Sequence, residues 1–207
     1  MAKKIALALL IVALMLAAGL GWLWMRLTAL PDWYESGELI TEDGTPQIDN
    51  DWVIIPTEPN QPRRYQIRNP HLRQGAEAKA KPITKAIKGS RAIWADEGSK
   101  QELDAGAVIN LSQMDLDALD PSERESYRKA IDAFPALTGR DVYVGIEGEV
   151  GTQGDQLKLA PDTQLRIGDT HYSLKTAAKR LGMSESELRK TIEKELSKLD
   201  VHPPAAG

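Results

Sequence analysis

Nine cations crowd one stretch of this 207-residue chain: Arg63, Arg64, Arg68, Arg73, Lys79, Lys81, Lys85, Lys88 and Arg91, against a single acid, Glu77. Guanidinium and ammonium groups at that density capture anions. Beside an anionic bilayer surface each base contributes about 1 kcal/mol, so several together would dock a domain. The competing partners lie within the chain itself, because residues 30–60 carry eight acids and no Lys or Arg. An exposed pair of that kind contributes little. The block therefore predicts contact with anionic lipid, with a membrane-protein partner, or with the neighbouring acidic segments.

Covalent and metal chemistry have less material. Cysteine is absent and histidine occurs only at positions 71, 171 and 202, which removes disulfides, thiolate sites and Cys nucleophiles and leaves little for a metal cluster. Glu147 and Glu149 stand two apart and would share a strand face, as polar residues of solvated strands do. Ser173 lies near His171 but lacks a third partner or a nucleophile elbow. Phosphate loops and dinucleotide fingerprints are missing. The expectation is a non-enzymatic protein with no cofactor and no metal. A uniformly basic nucleic-acid binder is also disfavoured, since the formal net charge is −4 and the positive charge sits in one block beside an equally negative one.

The elements that must position the block begin with an uncharged run, Ile5–Met25, which as a helix would be about as long as a hydrocarbon core is thick. It predicts a transmembrane signal anchor over residues 1–29. A cleavable signal peptide would need a shorter apolar region, and here the run continues past Ala17-Ala18-Gly19 to Met25. Lys3 and Lys4 precede the span and acids follow it, so the positive-inside rule places the N-terminus in the cytoplasm and the rest in a periplasm or lumen. Trp22, Trp24, Trp33 and Tyr34 bracket the exit and predict anchoring at the membrane interface. With no cysteine to acylate, a lipoprotein is excluded.

Residues 30–62 read as an acidic, mostly extended stalk interrupted by a short strand at Trp52–Ile55, and residues 63–91 as a basic segment broken by Pro70 and Pro82. From 92 to 201 the patterns turn regular. Ala107–Leu111 reads as a strand. Asp120-Pro121-Ser122-Glu123 opens a helix, and Tyr127, Ala130, Ile131 and Phe134 form its apolar face. Val142, Val144 and Ile146 alternate with Tyr143, Gly145 and Glu147; Leu157 with Leu159 and Leu165 with Ile167 repeat that period of two. Ser173 caps a helix that Gly182 ends, and Ser184 with Glu187 opens another through Leu188, Ile192, Leu196 and Leu199. The tail, 202–207, should be disordered. The expected fold class is α+β: an N-terminal transmembrane helix, then a small antiparallel sheet of three or four strands packed with amphipathic helices.

Three resemblances accompany this layout. Thr176–Leu188 resembles a helix-turn-helix, yet Glu185, Ser186 and Glu187 at the start of its second helix would repel phosphate, so DNA binding is not expected. Gly168-Asp169-Thr170 with Leu181-Gly182-Met183-Ser184 and Glu187-Leu188 resembles the LysM peptidoglycan-binding module, which implies glycan recognition, although extra residues separate its first element from the helix. The span followed by Leu30-Pro31-Asp32-Trp33-Tyr34, then Gly106–Leu111, Phe134-Pro135, Arg140–Gly148, Leu157–Leu159 and Leu165–Gly168, resembles uncharacterised single-span membrane proteins of cyanobacteria. That likeness implies an α+β outer domain and no particular activity. The functional expectation is an extracytoplasmic interaction protein whose partner is anionic lipid or a membrane protein.

Overall fold

The structure is a computed structural model that describes residues 24–41, 47–49, 51–59, 61–70, 86–96, 98, 100–153 and 156–199. Eight strands form one antiparallel sheet: β1 (Val53–Ile55), β2 (Arg63–Arg68), β3 (Ile87–Asp96), β4 (Gln101–Ile109), β5 (Val142–Gln153), β6 (Gln156–Leu159), β7 (Gln164–Ile167) and β8 (Thr170–Ser173). Their order is β1-β2-β3-β4-β5-β7-β8, with β6 paired to the far half of β5. The strands follow chain order because each connection is a hairpin or a local excursion, which suits an antiparallel meander. The largest excursion links β4 to β5 through residues 110–141 and carries helix α2 (Pro121–Ala133).

Local chemistry explains the helices. Asp120 accepts from the backbone N–H groups of Ser122 and Glu123, and the Glu123 carboxylate accepts from the Asp120 N–H, closing a capping box. Helix α3 (Leu174–Leu181) begins at Ser173, which accepts from the Thr176 N–H, and stops at Gly182 in a left-handed conformation, φ +69°. Helix α4 (Glu185–Leu196) repeats the capping box with Ser184 and Glu187. The short helix α1 (Asp32–Glu35) follows Pro31, whose fixed φ suits a helix start.

The two faces of the sheet are covered differently. On one face Ala92 and Trp94 of β3, Leu103 and Ala105 of β4 and Ile146 of β5 meet Leu174, Ala177 and Ala178 of α3 and Leu188 and Leu196 of α4 in the main core. Trp94 is 1% exposed. Across the other face runs a strap formed by residues 24–41. It is tied at one end by the Asp169 N–H donating to the Arg26 carbonyl, and near the other Leu39 lies against Gly89 of β3. Between them Trp33 and Leu39 join Val108 and Tyr143 in a second, smaller core.

Several expectations need correction. The sheet has eight strands rather than three or four, because segments read as charged linkers are half-buried strands: in β2, Tyr65 and Ile67 point toward the helices between Arg64, Gln66 and Arg68. The acidic stalk is in part the strap and the edge strand β1. Among the described residues no helix is long and apolar enough to cross a membrane. The transmembrane helix, with the signal-anchor and single-pass layout built on it, is therefore not part of the described fold. Of Ile5–Met25 only Trp24 and Met25 are described, in a helical turn over 24–27 that packs on the β7–β8 turn; the rest, with Trp22, lies outside the described residues. The middle of the basic segment, residues 71–85, lies outside them too, as does the tail 202–207.

Candidate functional site

The strap face is where charged side chains converge. Antiparallel register sets Arg68 of β2 opposite Arg91 of β3, Arg91 opposite Gly106 of β4, Gly106 opposite Gly145 of β5, Gly145 opposite Arg166 of β7 and Arg166 opposite His171 of β8. One pleat along, Gln66, Ile93, Asp104, Glu147, Gln164 and Ser173 make the next row. Cations thus occupy both flanks of one row, and a carboxylate pair occupies the middle of the next.

The glycines decide the shape. A Cβ on Gly106 or Gly145 would sit 2.4 and 2.6 Å from the Tyr143 hydroxyl, so their bare backbone forms a furrow in which the Tyr143 ring lies. Arg166 stacks over that ring at 4.9 Å, and Trp33 of the strap meets it edge to face at 6.0 Å. Arg91 in turn stacks over Trp33 at 5.1 Å. Arg91, Trp33, Tyr143 and Arg166 therefore form a row of two rings flanked by two cations across this face.

The electrostatics follow from this half-burial. Burial pushes the Asp104 carboxyl above its ordinary range, and the facing Glu147 adds to that, while Arg166, the Tyr143 hydroxyl and Arg91 pull it back. Tyr143 donates to Asp104 Oδ1 at 3.3 Å, a long bond. Its own phenol is pushed far upward, mainly by burial and then by the Asp104 charge. Desolvation lowers the Arg91 guanidinium, against the opposing influence of Asp104 and Glu38. Glu147 Oε2 lies 3.1 Å from His171 Nε2. Among the described residues no three His, Asp or Glu side chains could hold a metal ion.

The basic block does not act as one unit. Arg63 and Arg64 are exposed on β2, Arg68 and Arg91 face each other, and Lys88 bonds Gln113 Oε1. Arg73, Lys79, Lys81 and Lys85 lie outside the described residues. Around the pair, Arg91 reaches Glu38 at 3.7 Å, and Arg68 donates through Nε and Nη2 to the Gln66 amide oxygen at 2.8 Å once that amide is turned to present it. Asp49 accepts from the Arg68 N–H at 2.9 Å. The acidic stretch before the block thus folds back onto it.

The aromatics at the end of the apolar run are placed within the domain. Trp33 is 5% exposed, so it has almost no surface for a headgroup zone. Tyr34 donates its hydroxyl to Asp141 Oδ2 at 2.9 Å, and burial with that carboxylate raises its pKa. Trp24 remains on the surface beneath Arg140, 5.0 Å above its ring. Sequence reasoning missed Asp104, Arg166 and the Tyr143 furrow. The alternation of Tyr143, Gly145 and Glu147 marks one strand of that face, and Ala107–Leu111 and the Leu165–Ile167 pair mark parts of its neighbours; what no local pattern shows is that these strands pair with β5 so that Asp104 faces Glu147 and Gly145 faces Arg166. No family model, curated protein or solved structure matches this chain.

Proposed function

We propose that this chain is a non-enzymatic interaction protein that docks on an anionic surface through Arg64, Arg68 and Arg91. The observation that supports this reading is the register of β2 and β3, which seats Arg68 directly opposite Arg91 with Arg64 further along the same face. Like charges set opposite each other on neighbouring strands are unfavourable unless an anion shares them. Among the described residues the one carboxylate within ion-pair reach of the three is Glu38, at 3.7 Å. Guanidinium groups side by side suit carboxylate or phosphate oxygens.

The test compares the full-length chain with its R64E/R68E variant. Flotation with neutral phosphatidylcholine vesicles and with vesicles containing phosphatidylglycerol examines lipid; co-precipitation from the native extract examines protein partners. The wild type should prefer the anionic vesicles, or capture a set of acidic proteins, and the variant should lose that preference, more so at low salt. Equal behaviour of the two chains in both arms overturns the reading.

A second reading, glycan binding by the C-terminal hairpin, draws on the strand–helix–helix order of β8, α3 and α4. Failure of the full chain to co-sediment with purified peptidoglycan removes it.

A further inference from the structure

The arginine cluster already meets one anion from within the chain. Glu38, on the strap, sets its Oε2 3.7 Å from Arg91 Nη1, with the two side chains 49% and 20% exposed. That separation is too long for a hydrogen bond. An ion pair so open to water contributes little to stability, so the Glu38 carboxylate is held loosely by Arg91 and another anion can replace it.

Its backbone, by contrast, is closely placed. Five residues earlier, Trp33 is buried beneath the Arg91 guanidinium. The next residue, Leu39, is 4% exposed and fills the space over Gly89, where a Cβ would collide with it. The Leu39 carbonyl accepts from the Gln47 N–H at 2.6 Å, and the Gln47 carbonyl accepts from Asn69 Nδ2 at 2.8 Å. Asn69 Oδ1 in turn accepts from the Ser90 N–H at 2.8 Å. Asn69 adjoins Arg68 and Ser90 adjoins Arg91, so the bonds that seat the strap beside Glu38 are anchored next to both cations.

We propose that Glu38 is a built-in competitor of the arginine site: its carboxylate, kept beside Arg91 by the strap, stands in for part of the docking anion and is displaced when that anion binds. This rests on the docking reading above and adds the regulation of the same site. Carboxylate and phosphate oxygens use the same guanidinium N–H groups, so an incoming anion and Glu38 share Arg91. A tethered competitor acts at an effective concentration set by its tether and not by the amount of protein. It therefore weakens docking by a constant factor. Desolvation disfavours the charged Arg91, and the Asp104 and Glu38 charges offset that, so removing Glu38 leaves a cation with more to gain from an external anion.

The experiment measures binding of the full-length chain, at low salt, to vesicles containing phosphatidylglycerol and to a fluorescent peptide of consecutive aspartates. Three variants accompany the wild type. E38Q keeps the shape of the side chain and removes its charge; E35Q removes the same charge from exposed Glu35 of α1; L39A keeps the Glu38 charge and frees the strap beside it, with the fold checked by circular dichroism and the release by amide exchange. E38Q and L39A should bind at least one probe about two- to fivefold tighter than the wild type, the range an exposed ion pair allows. E35Q should stay near the wild type, and adding R64E/R68E to E38Q should erase its gain. No gain in E38Q, an equal gain in E35Q, or wild-type affinity in a folded L39A with its strap released overturns the proposal, as does binding of neither probe by any of these chains. Binding that R64E/R68E leaves unchanged overturns the docking reading itself; binding that needs those arginines, with E38Q no tighter, overturns this inference alone.

Discussion

The two faces of one sheet are stabilised by different physics. On the helix face, Trp94, Leu103 and Ile146 are buried among Leu174, Ala177 and Leu188, and hydrophobic transfer supplies most of the stability, with Arg180 stacked at its margin on Phe134 and Tyr172. On the strap face, burial is shared among four main side chains, Trp33, Leu39, Val108 and Tyr143, and the rest of the surface is stacking, ion pairing and open carboxylates. Apolar burial on the first face is cooperative with the whole fold. On the second it concerns one strap and the strands beneath it, so the faces should fail separately.

The largest expected effect tests that separation. Trp94→Ala empties the centre of the helix face and should cost about 3–5 kcal/mol, seen as a lowered denaturant midpoint for the whole domain. Trp33→Ala should instead release residues 24–41 locally: amide exchange and protease cutting rise there, while β3, β4 and β5 keep their protection. Global unfolding of both variants at the same denaturant concentration would make the faces one cooperative unit.

Next in size is a cap. Asp120→Ala removes the acceptor of two backbone N–H groups at the start of α2 and should cost about 1 kcal/mol by urea denaturation. Because α2 has no fully buried residue, the loss should appear mainly as fraying of that helix in amide exchange, with the strap unaffected.

The smallest effect carries a sign that depends on pH. Asp104 titrates above its ordinary value in the folded state, so the folded protein favours its protonated form. Its contribution is fully present below the unfolded value of about 3.9 and is lost as pH rises through the folded value. Asp104→Asn keeps an acceptor for Tyr143 and never ionises. It should match the wild type in acid and exceed it at neutral pH in urea midpoint; a neutral-pH deficit would mean that Arg91 and Arg166 outweigh the burial and Glu147.

What the sequence disclosed follows the range of the signal. Capping boxes at Asp120–Glu123 and Ser184–Glu187, with Gly182 as a stop, are contained within a few residues, and α2, α3 and α4 lie where they indicate. Alternation in β5, β6 and β7 is equally local. Strands β2 and β3 were hidden by composition: Arg63, Arg64, Arg68, Lys88 and Arg91 drew attention as charge, although Tyr65, Ile67, Ala92 and Trp94 alternate with them as an inward row. Trp33 and Tyr34 follow an apolar run closely and look like interface anchors; only the glycine furrow, contributed by strands more than 70 residues later, shows where Trp33 goes. The candidate site was the least legible part, since Arg68 meets Arg91, and Asp104 meets Glu147, through pairing that no window of sequence contains.

The strap also imposes an order on biosynthesis. Its tie joins Arg26 to Asp169, 143 residues further on, so the ribosome must make nearly the entire domain before that clasp can close. At about 5–20 residues per second the wait is roughly 7–30 s. Until Val108 and Tyr143 are made, Trp33 and Leu39 lack their seat, and a nascent chain in that condition is a natural client for a chaperone.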